Sequence, residues 1–219
     1  MGTLLNRRRY MGGGGAPVPT DYIQNGLVFW LDGIDKGSNE GYWTDLKGGC
    51  QYSYPASGTT VLDKGVEFTS QVTMPLVNGT VPNGTDKTIE VVVFKKSGSG
   101  TPAGVFQVNT IATSGDIAVY FNDNHKNVFM QRQKCVYESP ALNVLSRYSY
   151  NLDVCCVNEV QGTFSNSDYW SVQTPGVGSG YNNMRGMIGI IHSIRIYDRK
   201  LSLNEMIANQ KYDLIRFGT

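Results

Sequence analysis

Hydrolysis of a glycosidic bond with retention needs two carboxyl groups about 5–5.5 Å apart, one to donate a proton and one to attack. The acids nearest to such a pairing, Glu67, Glu90, Glu138 and Glu159, are each isolated from a second acid that would share their strand face. Ser-His-Asp chemistry would have to use His125 or His192, the two histidines of the chain, and no Gly-x-Ser-x-Gly elbow accompanies either. His125 lies in Asn122-Asp123-Asn124-His125-Lys126-Asn127, which offers oxygen ligands for calcium. It lacks the glycine and terminal glutamate of an EF-hand loop, so a plain turn is expected there. No zinc spacing, phosphate loop or dinucleotide fingerprint appears. The chain is therefore expected not to be an enzyme, with no catalytic residue and no metal ligand to name.

Binding chemistry is better represented. A pyranose has an apolar face and a rim of hydroxyls, so its sites pair an exposed aromatic ring with amide or carboxylate groups. Asn166-Ser167-Asp168-Tyr169-Trp170 and Tyr181-Asn182-Asn183 have that mixture, making Asp168, Tyr169, Trp170, Tyr181, Asn182 and Asn183 the candidate glycan contacts. A weaker third group is Tyr42-Trp43 with Tyr52 and Tyr54. Aromatic side chains also cap sandwich cores and fill subunit interfaces, so each group has a purely structural alternative.

Near the start, Leu4, Leu5, Arg7, Arg8, Arg9 and Tyr10 form a short sticky, basic segment. Gly12 to Gly15, with Pro17 and Pro19, make a flexible and then extended tether behind it. Three arginines bind phosphate weakly, whereas a protein groove lined by carboxylates or carbonyls suits the guanidinium fork. Residues 1–20 are thus expected to be an anchoring arm, and residues 21–219 the folded domain. Such an arm gains order only from a partner.

The 219 residues carry a formal net charge of +1, so no strong attraction to nucleic acid or an anionic membrane is expected. The arm contributes +3 of that, leaving the body at −2. With 40% hydrophobic residues, 26 glycines and 13 tyrosines, the chain suits one core built from many short strands. Cys50, Cys135, Cys155 and Cys156 do not read as a disulfide framework. Cys155 and Cys156 would point to opposite faces of a strand as small buried hydrophobes, in a protein made in a reducing cytosol. No apolar signal core follows the start, and no apolar run of membrane-spanning length exists. Asn78-Gly79-Thr80 and Asn83-Gly84-Thr85 read as turns.

Strands are expected at Leu27–Leu31, Val66–Phe68, Val72–Leu76, Ile89–Phe94, Val105–Val108, Ile117–Phe121 and Val128–Met130. Ile89–Phe94 would end at Lys95-Lys96. Tyr148–Val157 reads as one alternating strand with Tyr148, Tyr150, Leu152, Val154 and Cys156 on one face, followed by a loop over 158–187. The final strand runs from Gly189 to Tyr197, with a slip in its alternation near His192 that predicts a bulge. Ser202 and Glu205 form a capping box, and Leu201 and Met206 a hydrophobic staple. The helix behind them recurs at Leu203, Ile207 and Leu214, with Asn204, Glu205 and Lys211 toward solvent. The fold expected is all-β, a two-sheet antiparallel jelly-roll sandwich with one short C-terminal helix.

The run Gly189-x-Ile191-x-x-Ile194-Arg195-Ile196-Tyr197-x-Arg199-x-Leu201-Ser202-x-x-Glu205 resembles the closing signature of the concanavalin A-like lectin/glucanase superfamily, in its laminin-G-like branch. Gly26–Gly33, Trp43-Thr44-Asp45-Leu46 and Thr88–Phe94 are similar to its opening strand, following loop and early central strand. The resemblance implies a jelly-roll fold and carbohydrate binding, and allows calcium as a cofactor without identifying ligands. The superfamily's retaining glucanases carry a Glu-x-Asp-x-x-Glu strand that is missing here. Asp32 and Asp45 are expected to hold loops through backbone hydrogen bonds. The opening Leu-Leu-x-Arg-Arg-Arg-Tyr-Met-Gly resembles the first residues of structural proteins of bacteriophages of gut Bacteroidales. That resemblance implies a virion protein, such as a head fibre or decoration module, held by its arm to other virion proteins. It would associate with copies of itself, a trimer among the arrangements open to it, and touch host-surface glycans. The alternative is a free lectin-like module.

Overall fold

A computed structural model describes residues 21–37, 41–97, 103–108, 117–122, 127–130, 133–136, 142–166, 175–178 and 186–218. In chain order the strands are β1 (Leu27–Asp32), β2 (Tyr42–Thr44), β3 (Gln51–Ser53), β4 (Thr59–Leu62), β5 (Gly65–Phe68), β6 (Leu76–Asn78), β7 (Thr88–Ser97), β8 (Ala103–Gln107) and β9 (Ala118–Asn122). They continue with β10 (Asn127–Met130), β11 (Gln133–Val136), β12 (Leu145–Tyr150), β13 (Cys155–Val157), β14 (Val160–Gln161), β15 (Thr163–Asn166), β16 (Gly176–Val177) and β17 (Ile188–Tyr197). One helix, α1 (Leu203–Phe217), closes the fold.

The strands form an antiparallel two-sheet sandwich, as the sequence predicts. The larger sheet runs β14-β13-β12-β7-β17-β5-β4, with β1 also on β17; the smaller runs β15-β11-β10-β9-β8-β16. A third, three-stranded sheet orders β2-β3-β6. Alternation sends Phe29, Leu31, Val66, Phe68, Val91, Val93, Ile191, Ile194 and Ile196 inward, where they meet Val105, Phe106, Val119 and Phe121 of the smaller sheet.

β17 organises the larger sheet. One edge lies along β7, while the other is shared: Gly189–Ile191 pair with β5, and Ser193–Tyr197 pair with β1. The changeover falls at His192, where the β7 register shifts between Ile191 and Ser193. The bulge expected there is present, and His192 O accepts from Gly33 N at 2.7 Å as the chain leaves β1.

The capping box is also present: Ser202 accepts from Glu205 N, and the Glu205 carboxylate accepts from Ser202 N at 2.8 Å. Leu201 and Met206, the staple pair, are both buried. Leu203 and Ile207 pack partly buried against the cluster that holds this pair, and Asn204 and Lys211 are exposed, as expected, but the rest of the helix differs. It buries Met206, Asn209, Gln210, Asp213 and Phe217, while Leu214 and Ile215 are 49% and 76% exposed. The reason lies in the sheet beneath, which sets Glu90, Ser149 and Arg195 opposite Asn209, Gln210 and Asp213, beside the apolar Trp30, Cys156 and Tyr197.

Other expectations need correction. Tyr148–Val157 is a hairpin, not one strand: Asn151 Oδ1 accepts from Asp153 N and Val154 N, both at 2.9 Å, and turns the chain. Tyr148, Tyr150, Cys155 and Val157 therefore share the inner face, and Cys156 lies on the outer one. Cys155 and Cys156 do point to opposite faces, but Cys155 is disulfide-bonded, so the fully reduced reading fails. Cys50 and Cys156 are free and buried. Segment 158–187 carries β14, β15 and β16. In place of Val72–Leu76 stand a Met74–Val177 bridge and β6.

β7 also runs past Lys95-Lys96 to Ser97. Lys95 thereby falls on the inner face, 7% exposed, with Nζ 5.2 Å from the centre of the Phe121 ring. Burial pulls its pKa from 10.5 down to about 8. Between those values the unfolded chain binds a proton that the folded chain does not, so Lys95 makes stability rise with pH across that window. The buried tyrosines Tyr52, Tyr150 and Tyr197, raised by burial, act oppositely once unfolded tyrosine ionises. The effect is thus read as a difference between proteins. Lys95→Met is expected to be more stable at pH 7 by about 1–2 kcal/mol, an advantage that shrinks toward pH 9.5. Urea midpoints of both proteins across that range check it; a constant difference would contradict the assignment.

Candidate functional site

Chemistry-bearing side chains converge where α1 crosses the outer face of the larger sheet. Arg195 of β17 points outward, away from its inward neighbours Ile194 and Ile196. Beside it in the adjacent strand is Glu90 of β7, paired by register with Arg195 and, on its other side, with Ser149 of β12. The helix supplies Asn209, Gln210 and Asp213, spaced so that one stripe faces the sheet. Tyr22, ahead of β1, closes the end.

Arg195 is the hub. Nη1 and Nη2 donate to the two oxygens of Asp213 at 2.7 Å each, and Nε donates to Glu90 Oε2 at 2.9 Å. Tyr22 OH donates to Asp213 Oδ1 at 2.6 Å, and the Tyr22 ring lies 4.2 Å from the guanidinium carbon. Asn209 Nδ2 donates to Glu90 Oε2 and to Tyr197 OH. Ser149 donates to Glu90 Oε1 and accepts from Gln210 Nε2. Arg195, Glu90 and Asp213 are each 1% exposed. Burial raises the Glu90 pKa against the opposing pull of Arg195. Burial works against the Arg195 charge too, but Asp213 and Glu90 outweigh it and hold that pKa well above its ordinary value.

Glu90 is therefore not the isolated acid its sequence position suggests. It nevertheless has no route to a substrate, because both carboxylates are sealed under the helix and spent on one guanidinium. The cluster fastens α1 to the sheet. Glu67 and Glu159 are engaged as well, with Lys96 at 2.6 Å and Arg147 at 2.9 Å; Glu138 lies outside the described residues.

Asp45 and Asp32 hold loops as expected. Asp45 accepts from the backbone N–H groups of Trp30, Lys47 and Gly48 at 2.6, 3.0 and 2.7 Å. Asp32 accepts from Ile34 N at 2.9 Å and also pairs with Arg216. Among the described residues, no group of three or more His, Cys, Asp or Glu side chains is placed to hold a metal ion. The Tyr42-Trp43-Tyr52-Tyr54 group is not a sugar platform: Trp43 and Tyr52 are 0% and 1% exposed, inside the core. Trp43 Nε1 is spent on Asp32 O at 3.0 Å.

The other candidates lie outside the described residues. These are Leu4, Leu5, Arg7, Arg8, Arg9 and Tyr10 of the arm, and Asp168, Tyr169, Trp170, Tyr181, Asn182 and Asn183 of the two aromatic loops, together with His125. His192 is 7% exposed, with Nδ1 2.6 Å from Lys64 O and its ring 5.4 Å from that of Phe217. It faces a cavity that sequence patterns did not reveal. For the buried cluster under α1 a hint was available in Arg195, a permanent charge inside an apolar strand, which requires a buried partner.

No protein-family model and no curated protein matches the sequence. Solved structures do match the fold. Trypanosoma rangeli sialidase bound to 2-keto-3-deoxy-D-glycero-D-galacto-2,3-difluoro-nononic acid aligns at a TM-score of 0.57 and 16% identity, over 94% of this chain. The same sialidase with sialic acid aligns at 0.55 and 14%. The chain spans only about a third of the sialidase's length, 35% and 36% in the two cases. A structure described as the HCR/D W1238A mutant aligns at 0.54 and 10% identity, over 87% of this chain and 52% of the other. At such identities these likenesses speak to the fold, a β-sandwich shared with the matching part of each structure.

Proposed function

We propose that the protein is a non-enzymatic, carbohydrate-binding β-sandwich that projects from a bacteriophage particle and is held there by residues 1–20. The observation that carries this reading is the contrast between a sandwich built from residues 21–218 and a basic, glycine-tethered opening segment. Tyr22 is locked to Asp213 and Trp30, and both sheets, the core and α1 come from residues 21–218. The arm's Leu4-Leu5 and Arg7-Arg8-Arg9-Tyr10 carry the apolar and guanidinium chemistry that anchoring in a groove of a neighbouring protein would use. The commitment of Glu90, Asp213, Glu67 and Glu159 to ion pairs supports a binding role over a hydrolytic one. The Cys155 disulfide fits a protein working outside a reducing cytosol, a virion surface included.

Glycan contact falls to the aromatic and amide side chains of 168–170 and 181–183. The likeness to a sialidase chain solved with sialic acid supports this as an analogy of fold only. Deleting residues 1–18 is expected to leave the melting temperature unchanged while abolishing incorporation into particles; normal incorporation would refute the anchor. Trp170→Ala is expected to lower glycan-array binding at least about tenfold with no loss of stability. A glycan-binding protein that stays unincorporated in every particle would favour the free lectin-like module.

A further inference from the structure

Where α1 ends, the outer face of the larger sheet is left uncovered and opens into a cavity of about 500 Å³. Its walls are Phe94 of β7, Ile190 of β17, Leu145 of β12, Leu62 of β4 and Phe217 of α1, with His192 among them. Two further polar residues of the lining, Lys64 and Asn143, stand exposed at the rim, and Lys64 Nζ donates to Gly218 O at 3.2 Å. Size and apolar lining fall in the range of sites for small organic molecules.

His192 gives the site its polarity. Its Nδ1 lies 2.6 Å from the Lys64 carbonyl oxygen, which can only accept, so the ring proton is on Nδ1. Nε2 of the neutral ring is then a bare acceptor; no hydrogen bond is found for it among the described residues, and it is not among the sealed polar atoms, so it stays open to solvent. A largely buried side chain that lines the cavity, with one nitrogen fixed and the other open, gives a ligand's donor a place to bind. The bulge holds that orientation, since the backbone carbonyl of His192 is itself tied to Gly33.

We propose that this cavity binds a neutral small molecule with an aromatic body and a single hydroxyl, which donates its proton in a hydrogen bond to His192 Nε2. Phe94 and Phe217 supply ring contacts, and Leu62, Leu145 and Ile190 the remaining apolar wall. A carboxylate would meet the lone pair of Nε2. A sugar would leave most of its hydroxyls facing hydrocarbon, which costs more than one hydrogen bond returns. The site therefore differs in chemistry from the glycan loops, and it stands or falls independently of the proposed function.

The test uses the full chain with 2-naphthol and its methyl ether, 2-methoxynaphthalene, by saturation-transfer NMR and calorimetry. Saturable binding of 2-naphthol is expected, with the ether at least about tenfold weaker because it has no proton to donate. His192→Phe should bring the two compounds to equal affinity. Leu145→Trp, which fills the cavity from a half-buried strand position, should abolish binding while the protein stays folded. The ether comparison needs no mutation and so survives a variant that fails to fold. Equal affinity of the two compounds for the parent protein, no saturable binding of either, or undiminished binding to Leu145→Trp would each overturn the proposal.

Discussion

Arg195→Met is expected to destabilise the fold by about 3–5 kcal/mol, because it strands Glu90 and Asp213 beneath α1 with no counter-charge. In a domain of this size that lowers the melting temperature by roughly 6–20 °C. The pH dependence separates this cause from simple loss of packing. Without the guanidinium, the Glu90 carboxyl, already raised by burial, loses the charge that pulls it down, so the folded state takes up a proton as pH falls. The deficit should therefore be largest at pH 7 and shrink toward pH 5. Replacing Arg195, Glu90 and Asp213 together by apolar residues should recover part of the loss. Recovery stays incomplete because Tyr22, Asn209 and Ser149 would lose their partners. A melting temperature within about 2 °C of the parent would mean that the cluster does not hold the helix.

Trp43→Ala should cost about 3–5 kcal/mol as well, by a different route. The indole is wholly buried in the main core and its N–H reaches Asp32 O, linking the three-stranded sheet to the end of β1. Truncation leaves a cavity and frees the Asp32 carbonyl. The discriminating measurement is a denaturant midpoint alongside glycan binding. Trp43→Ala is expected to shift the midpoint and leave the binding of the remaining folded protein intact, the reverse of Trp170→Ala. A stable Trp43→Ala protein that has lost glycan binding would restore the Tyr42-Trp43 group as a sugar surface.

These cases show what a sequence discloses. The cap of α1 was legible because Leu201, Ser202, Glu205 and Met206 are neighbours in the chain and their logic is local. The His192 bulge was legible because a broken alternation leaves a mark in the residue order. The sandwich itself followed from apolar runs at short spacing. The buried stripe of α1 was not legible. Asn209, Gln210 and Asp213 carry the composition of a solvent face, and what draws them inward lies 119 residues away at Glu90 and 18 away at Arg195. The cavity was hidden for a related reason: its walls come from β4, β7, β12, β17 and α1, and no periodicity links them. The arm and the aromatic loops were chosen on composition, and they lie outside the described residues.

The shared edge of β17 has a consequence for how the protein is made. Residues 188–197 sit between β7 on one flank and both β1 and β5 on the other, yet they are synthesised about ninety residues after the last of those three. A nascent chain lacking them already holds the three hydrophobic strands β1, β5 and β7 with the space between them vacant. Such edges invite pairing with other chains. Assembly of the larger sheet must therefore wait until β17 has left the ribosome, and until then the growing polypeptide depends on being kept apart from its siblings.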